Sequence, residues 1–254
     1  MTQGMTTVLL VGASGSIGRP AVARSLEAGY ETRALVRTPQ QASLFPAGAQ
    51  VVVADPTDPT ALRDAVAGVT GVVFTHGSHG GAAPAERVDY GIVRNVLGAL
   101  RSPARIALMT AIGVTKHTPG HDWKRRGERL VRASGLPYTI VRPGWFDYNK
   151  PDEHALVMLQ GDTRWAGTPA DGVVSRDQIA QVLVDSLRSD AADRTTLELV
   201  AEKGPAPADL DPLFAALRPD PAEALDAVLD RDNMPLSGEP AAVVADLDAV
   251  RGRF

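Results

Sequence analysis

Short runs of aliphatic and β-branched residues alternate along this chain with longer stretches that repeat apolar positions at helical spacing. The runs are Met5–Val11, Thr32–Val36, Gln50–Ala54, Val69–Thr75, Arg105–Thr110, Tyr138–Val141 and, as a last strand, Thr196–Val200. Several are apolar at nearly every position, as expected of strands covered on both faces. Between them lie helix candidates at Ser16–Ala28, Pro84–Leu100, His121–Ala133 and Ser175–Arg188. Gly29 stands where the first helix should stop, because a residue without a Cβ turns left-handed at little cost. Strand–helix–strand alternation with tight turns predicts an α/β fold, a Rossmann-like doubly wound parallel sheet with helices on both faces. From about Lys203 the texture changes to three proline-punctuated helical pieces, Ala208–Leu217, Pro221–Asp230 and Pro240–Val250. They predict a C-terminal helical cap. The whole chain, 1–254, then reads as one domain with a core over about 5–200 and an extension over about 203–254.

Composition narrows the classes of function. Apolar residues form 44% and charged residues 22% of the 254 positions, enough to bury a full core. Lysine and arginine total 26 against 30 acidic residues, a net charge of −4, so the basic excess of a nucleic-acid binder is missing and no such partner is expected. Cysteine is absent, which excludes disulfides, thiolate metal sites and a cysteine nucleophile. The five histidines show no paired helical spacing, so no metal is expected. Met1–Thr7 lacks a basic leader segment and no stretch approaches about 18 uninterrupted apolar residues. The expectation is no membrane partner and a cytoplasmic location.

The first strand runs into Gly12-Ala13-Ser14-Gly15-Ser16-Ile17-Gly18, spaced G-x-x-G-x-x-G, with a helix beginning inside it. Gly12 permits the sharp exit from the strand, Gly15 lets the backbone approach a pyrophosphate, and Gly18 lets the helix pack closely on the sheet. The helix N-terminus offers free N–H groups and partial positive charge to phosphates. No Gly-Lys-Ser/Thr follows, so a Walker-type loop is excluded. Strand two ends Leu35-Val36-Arg37-Thr38, and Arg37 stands about 20 residues past the glycines, where the acid of an NAD-selective protein would accept from a ribose hydroxyl. A guanidinium there pairs instead with a 2′-phosphate, so the expected cofactor is NADP(H). Glu31 is at the wrong end of the strand. Arg19 is either a second phosphate partner or an exposed first-turn residue. Asp55 and Pro56, after strand three, either hold the adenine edge or form an ordinary turn. Thr75, His76 and Gly77 leave strand four toward the same sheet edge, where His76 faces the cofactor or has no chemical role.

These residues, together with Ser134-Gly135-Leu136-Pro137-Tyr138-Thr139-Ile140-Val141-Arg142-Pro143-Gly144, resemble the atypical short-chain dehydrogenase/reductase superfamily. The resemblance covers about residues 5–200 and is greatest to the NmrA-like NAD(P)-binding proteins. It implies that Pro143, Gly144 and Trp145, with Phe146 beside them, line the nicotinamide pocket. It also implies roles for Thr110 at the end of strand five and for Lys124, four residues before Glu128. The catalytic tyrosine of the superfamily has no match, because its position is Gly120 and none of the four tyrosines makes a Tyr-x-x-x-Lys. Reduction of an aliphatic ketone leaves a strongly basic alkoxide that needs a positioned proton donor. Three readings remain open. The substrate is a quinone or conjugated carbonyl whose reduced anion is far less basic. Or His121, His117 or Tyr148 substitutes as the acid, with Lys124 holding the ribose or merely belonging to a solvated Lys124-Arg125-Arg126 face. Or the chain is a non-catalytic NADP(H)-binding redox sensor. The aromatics of Trp145-Phe146-Asp147-Tyr148-Asn149, with Trp165, either wall a substrate pocket or pack against the tail. The expected activity is NADPH-dependent hydride transfer to a small aromatic or quinonoid substrate, by a monomer or by a homodimer joined through the helices around strand five.

Overall fold

The computed structural model describes residues 6–254, so Met5 of the first predicted strand lies outside the described residues. Strand β1 (Thr7–Val11) passes through the glycine turn into α1 (Gly18–Glu27), and β2 (Glu31–Val36) returns beside it. β3 (Gln50–Val53) and β4 (Gly71–Phe74) follow. The predicted Pro84–Leu100 helix is three pieces: α2 (Ala82–Ala85), a π turn at Glu86–Tyr90, and α3 (Gly91–Ala99). Next come β5 (Arg105–Met109), α4 (Pro119–Ala133), β6 (Tyr138–Pro143), β7 (Trp145–Phe146), β8 (Ala155–Leu159) and β9 (Val173–Val174). Then α5 (Arg176–Asp185), β10 (Thr195–Glu202), α6 (Asp211–Ala215) and α7 (Ala241–Val250) complete the chain.

The main sheet runs β3-β2-β1-β4-β5-β6-β10-β8. Its first six strands have the doubly wound order, which reverses between β1 and β4 and opens a crevice at their carboxyl ends. Alternate residues of β1 serve opposite layers. Val8 and Leu10 pack with Ala21 and Val22 of α1 and Ile179 and Leu183 of α5, whereas Leu9 and Val11 pack with Val93 and Leu97 of α3 and Leu130 of α4. Burial on both faces is what makes these strands read as unbroken apolar runs.

The sheet is not wholly parallel. Ala155–Leu159, for which the alternation predicts no element, adds as an edge strand antiparallel to β10, pairing Val157 with Val200. Helix α1 begins at Gly18 rather than Ser16, because the glycine turn occupies the residues before it. In the tail, Pro221–Asp230 is not helical. Its carboxylates instead seek buried arginines. Asp226 takes Arg125 and Arg129, Asp220 takes Arg132, and Asp230 takes Arg142. Arg125, Arg129 and Arg142 are at most 2% exposed, so Lys124-Arg125-Arg126 opens a buried ionic seam rather than a solvated face. The strap over residues 220–239 is thus fixed to α4 by charge, and α7 follows across α3 and α4 with Val243 and Leu247 in their core. The face expected to join two subunits is covered by this chain's own C-terminus.

Candidate functional site

The glycine turn fits its expected task, with one difference. Gly12 has φ +87°, and a Cβ there would stand 2.6 Å from the backbone nitrogen of His76, so the turn nests against the end of β4. A Cβ on Gly18 would stand 2.6 Å from the Ala13 carbonyl. That glycine therefore closes the loop on itself rather than bringing the helix to the sheet. Gly15 is exposed, its N–H donates to the Gly12 carbonyl at 2.9 Å, and nothing but that carbonyl approaches its Cα face. Ile17, 3% exposed, packs beneath, and no side chain caps α1. Ser14 is half-buried and Ser16 exposed. The turn offers bare backbone and an uncapped helix end, the surface a diphosphate requires.

Around the turn, Arg37 is exposed at the end of β2, and its guanidinium has no partner among the described residues. Asp55 accepts from the N–H and hydroxyl of Thr57 at 2.9 and 2.8 Å, and the Pro56 carbonyl accepts from Asn95 Nδ2 at 3.1 Å. Turn chemistry therefore already uses one carboxylate oxygen and that carbonyl. Thr75 donates its hydroxyl to the Val11 carbonyl at 3.2 Å, tying β4 to β1. His76 lies edge-on to Phe74 with its Nδ1 buried and unpaired, and burial pushes its pKa down to about 4. It is a neutral ring at pH 7.

Lys124 is not free. Its Nζ donates to Asp89 Oδ1 at 2.7 Å, and Asp89 also accepts from the N–H and hydroxyl of Ser78. Asp89 sits in the π turn, an irregularity that recurs at functional sites. A Cβ on Gly77 would lie 3.9 Å from both Lys124 Nζ and Asp89 Oδ1, which puts the pair directly beside the crevice. No sequence motif announces Asp89. Thr110, expected as a catalytic hydroxyl, donates to Glu128 Oε1 at 2.7 Å inside the arginine seam. That bond engages its proton and ties the end of β5 to α4.

Beyond β6 a pocket of about 410 Å³ is lined by Ile112, Gly113, His121, Pro143, Trp145 and Trp165, among others. One wall is the small β7–β9 ladder, in which Trp145 N–H donates to the Gly172 carbonyl at 2.9 Å. A Cβ on Gly144 would lie 2.5 Å from that carbonyl, so the ladder depends on this glycine. Gly144 and Phe146 also line the pocket, as does His121. Tyr148 does not. It is 62% exposed and edge-on to Trp145, so this candidate acid stands at the surface rather than in the pocket lining. His117 is committed as well, bonded to Asp122 at 3.0 Å and to the Asn233 carbonyl at 2.7 Å, bonds that raise its pKa. The Asn233 side chain donates to the Thr115 carbonyl and accepts from Arg125, clasping the strap to the pocket loop.

Arg176 is a residue the sequence reading missed. At the first position of α5, it donates to Ser16 Oγ at 3.0 Å and pairs with Asp147, spanning from the glycine turn to the pocket wall. Its only sequence signal is the Ser175–Gln178 capping box, which marks a helix start and nothing more.

A doubly wound sheet, a glycine turn at its switch point and an aromatic pocket on the same edge define a Rossmann-fold dinucleotide-binding protein. The profile of the NAD(P)H-binding family matches residues 12–190, and the chain belongs to that family. It is 28% identical over 210 residues to the uncharacterized sugar epimerase YhfK of Bacillus subtilis, covering 76% of this chain and 92% of that protein. It is 26% identical over 179 residues to the photosystem II assembly factor Ycf39 of Cyanophora paradoxa, covering 68% of this chain but only 56% of that factor. It is 24% identical over 261 residues to sanguinarine reductase of Eschscholzia californica, covering 82% of this chain and 95% of that enzyme. Among solved structures, a putative NAD-dependent epimerase/dehydratase from Bacillus halodurans superposes with TM-score 0.67 at 23% identity, covering 84% of this chain and all 100% of that one. A wide-type short-chain dehydrogenase/reductase from Veillonella parvula, solved with NADP, gives 0.59 at 18% identity over 81% and 100% of the two chains. Among the described residues no helix is long and apolar enough to cross a membrane.

Proposed function

We propose that this chain is an NADPH-dependent oxidoreductase that transfers hydride to a small conjugated carbonyl or quinone. The observation that carries the proposal is continuity. The bare glycine turn joins, through Ser16, Arg176 and Asp147, the wall of an aromatic pocket whose floor is Pro143 and Gly144. A dinucleotide whose diphosphate lies on the turn would end its reach at that pocket. NADP(H) is favoured over NAD(H) because an unpaired guanidinium, Arg37, replaces an acid at the end of β2. The NADP-bound relative of known structure and the sanguinarine reductase relative support this reading.

Bound NADPH would supply a hydride, so that NADPH, a proton and a quinone give NADP⁺ and a hydroquinone. The chain's part is positioning. Lys124, steadied by Asp89 beside Gly77, offers its remaining N–H groups to a ribose hydroxyl. The aromatic walls hold a flat acceptor against the reacting face and exclude water. Hydride addition leaves an anion delocalised over the ring, which His121 or solvent protonates, so the site can work with Gly120 where related enzymes carry tyrosine. The working unit is proposed to be a cytoplasmic monomer, since α7 covers the helices that would otherwise pair two subunits. Sedimentation of the purified chain checks that state.

The test is calorimetric titration with NADPH and NADP⁺, followed by anaerobic NADPH consumption against quinones and ketones. Binding with turnover of quinones supports the proposal. Tight binding without turnover of any acceptor transfers the case to a redox sensor, and absence of binding removes both.

A further inference from the structure

The backbone N–H groups of Ser16, Ile17 and Gly18, in the glycine turn, have no acceptor among the described residues. Among those residues a single charged side chain is bonded to the turn. Arg176, at the first position of α5, donates from Nε to Ser16 Oγ at 3.0 Å, and its Nη1 pairs with Asp147. A guanidinium has more N–H groups than these two bonds use, and those left over have no protein partner among the described residues. Because Ser16 Oγ accepts from Arg176, the hydroxyl proton is free to donate elsewhere.

The backbone that carries this guanidinium is well anchored. The Ser175–Gln178 capping box sets the first turn of α5, the Arg176 N–H donates to Asp147 Oδ1 at 3.0 Å, and the Asp147 N–H donates to the Val174 carbonyl at 2.9 Å. Asp147 follows directly on β7, in a left-handed conformation with φ +58°. The Arg176 head lies 5.4 Å from the centre of the Phe146 ring. The ion pair itself is open to solvent, with the Arg176 and Asp147 side chains 36% and 48% exposed. A pair so exposed contributes little stability, whereas guanidinium–phosphate bonds are among the stronger hydrogen bonds proteins make. An arriving phosphate therefore shares or displaces the aspartate at little cost.

We infer that Arg176 is the cation that closes on the diphosphate of the dinucleotide. The free amides of the turn take one side of the phosphates, and the guanidinium, aimed by Asp147, takes the other. The other cations of the crevice have different stations. Arg37 stands just past the end of β2, and Lys124 is held by Asp89 beside Gly77. Arg176 thus binds a group that NADPH and NADH share, and it leaves the choice between them to Arg37. The inference rests on the reading that a dinucleotide lies along the turn, but its test does not need turnover.

The experiment is calorimetric titration of NADPH, NADH and ADP-ribose into the native chain, Arg176→Gln and Arg176→Met. ADP-ribose carries the diphosphate but neither nicotinamide nor 2′-phosphate. Both variants delete the cation, one leaving a polar and one an apolar side chain, and thermal melting verifies that each is folded. The expected result is one common loss of about 10- to 100-fold for all three ligands in both variants. Weaker NADPH and NADH with unchanged ADP-ribose would mean that Arg176 acts through the pocket wall at the nicotinamide end, and the inference is overturned. Loss of NADPH affinity alone would move Arg176 to the 2′-phosphate and overturns it equally. So does undiminished binding of all three ligands. In each of these cases NADPH binding by the native chain leaves the dinucleotide reading standing. A native chain that binds none of the three removes that reading, and the clamp with it.

Discussion

Replacing Arg37 by glutamine separates cofactor selection from everything else the chain does. Arg37 is exposed, its own N–H is satisfied by Gln41 Oε1 at 3.0 Å, and its guanidinium leaves no protein group unpaired when removed. Folding stability should therefore change by no more than about 0.5 kcal/mol, as for an ordinary surface substitution. Binding is different. A hydrogen bond between a guanidinium and a phosphate is worth about 1.5–3 kcal/mol, which at about 1.4 kcal/mol per decade is roughly a 10- to 150-fold loss. NADH carries no 2′-phosphate, so its affinity should move by less than about threefold on the same scale. Calorimetric titration of both cofactors into both proteins, at one ionic strength because exposed charges are screened, reads the difference directly. Arg37→Glu should widen the gap by adding repulsion to the lost attraction. If NADPH and NADH weaken equally, Arg37 acts through the loop rather than through the phosphate, and the argument for NADP(H) fails. If neither weakens, the 2′-phosphate lies elsewhere.

Three further outcomes follow from other parts of the structure. Arg142→Leu strips its partner from two carboxylates, Glu128 and Asp230, whose side chains are fully buried, and should destabilise by about 3–5 kcal/mol in urea unfolding; a loss under about 1 kcal/mol would mean that the seam relaxes or takes in water. Gly144→Ala places a Cβ 2.5 Å from the Gly172 carbonyl and should cost about 1–3 kcal/mol while raising the quinone KM, and an unchanged KM would show that the β7–β9 wall does not position substrate. Glu198 has its pKa pushed up to about 8, chiefly by burial and then by the Asp162 carboxylate, against the pull of Arg142. Between its ordinary 4.5 and about 8 the folded chain keeps a proton that the unfolded chain has lost, so stability falls as pH rises through that window and levels off above it. Glu198→Gln should remove that slope, which is at most about 1.4 kcal/mol per pH unit, and denaturation curves at several pH values with the same slope in both proteins would refute the assignment.

The amino-acid sequence by itself determined the elements whose causes are local. Continuous apolar strands, the spacing of Gly12, Gly15 and Gly18, and Gly29 at a helix end each act over a few residues, so their pattern is readable without partners. The glycine turn and the place of Arg37 at the end of β2 were legible for the same reason, whereas the Pro143–Phe146 wall was implied by the family resemblance alone. Tertiary structure alone decided the rest. Ala155–Leu159 became a strand only because β10 presented an unpaired edge, and Pro221–Asp230 left its helical pattern because buried arginines of α4 and β6 captured its carboxylates. Thr110 bonded to Glu128, Lys124 met Asp89 of a π turn, and Arg176 reached Ser16 from a helix 160 residues further along the chain. Each of these depends on a charge or a donor finding its complement far along the chain. A desolvated charge is stable only beside such a partner, and no local window of sequence reveals which partner the fold will bring.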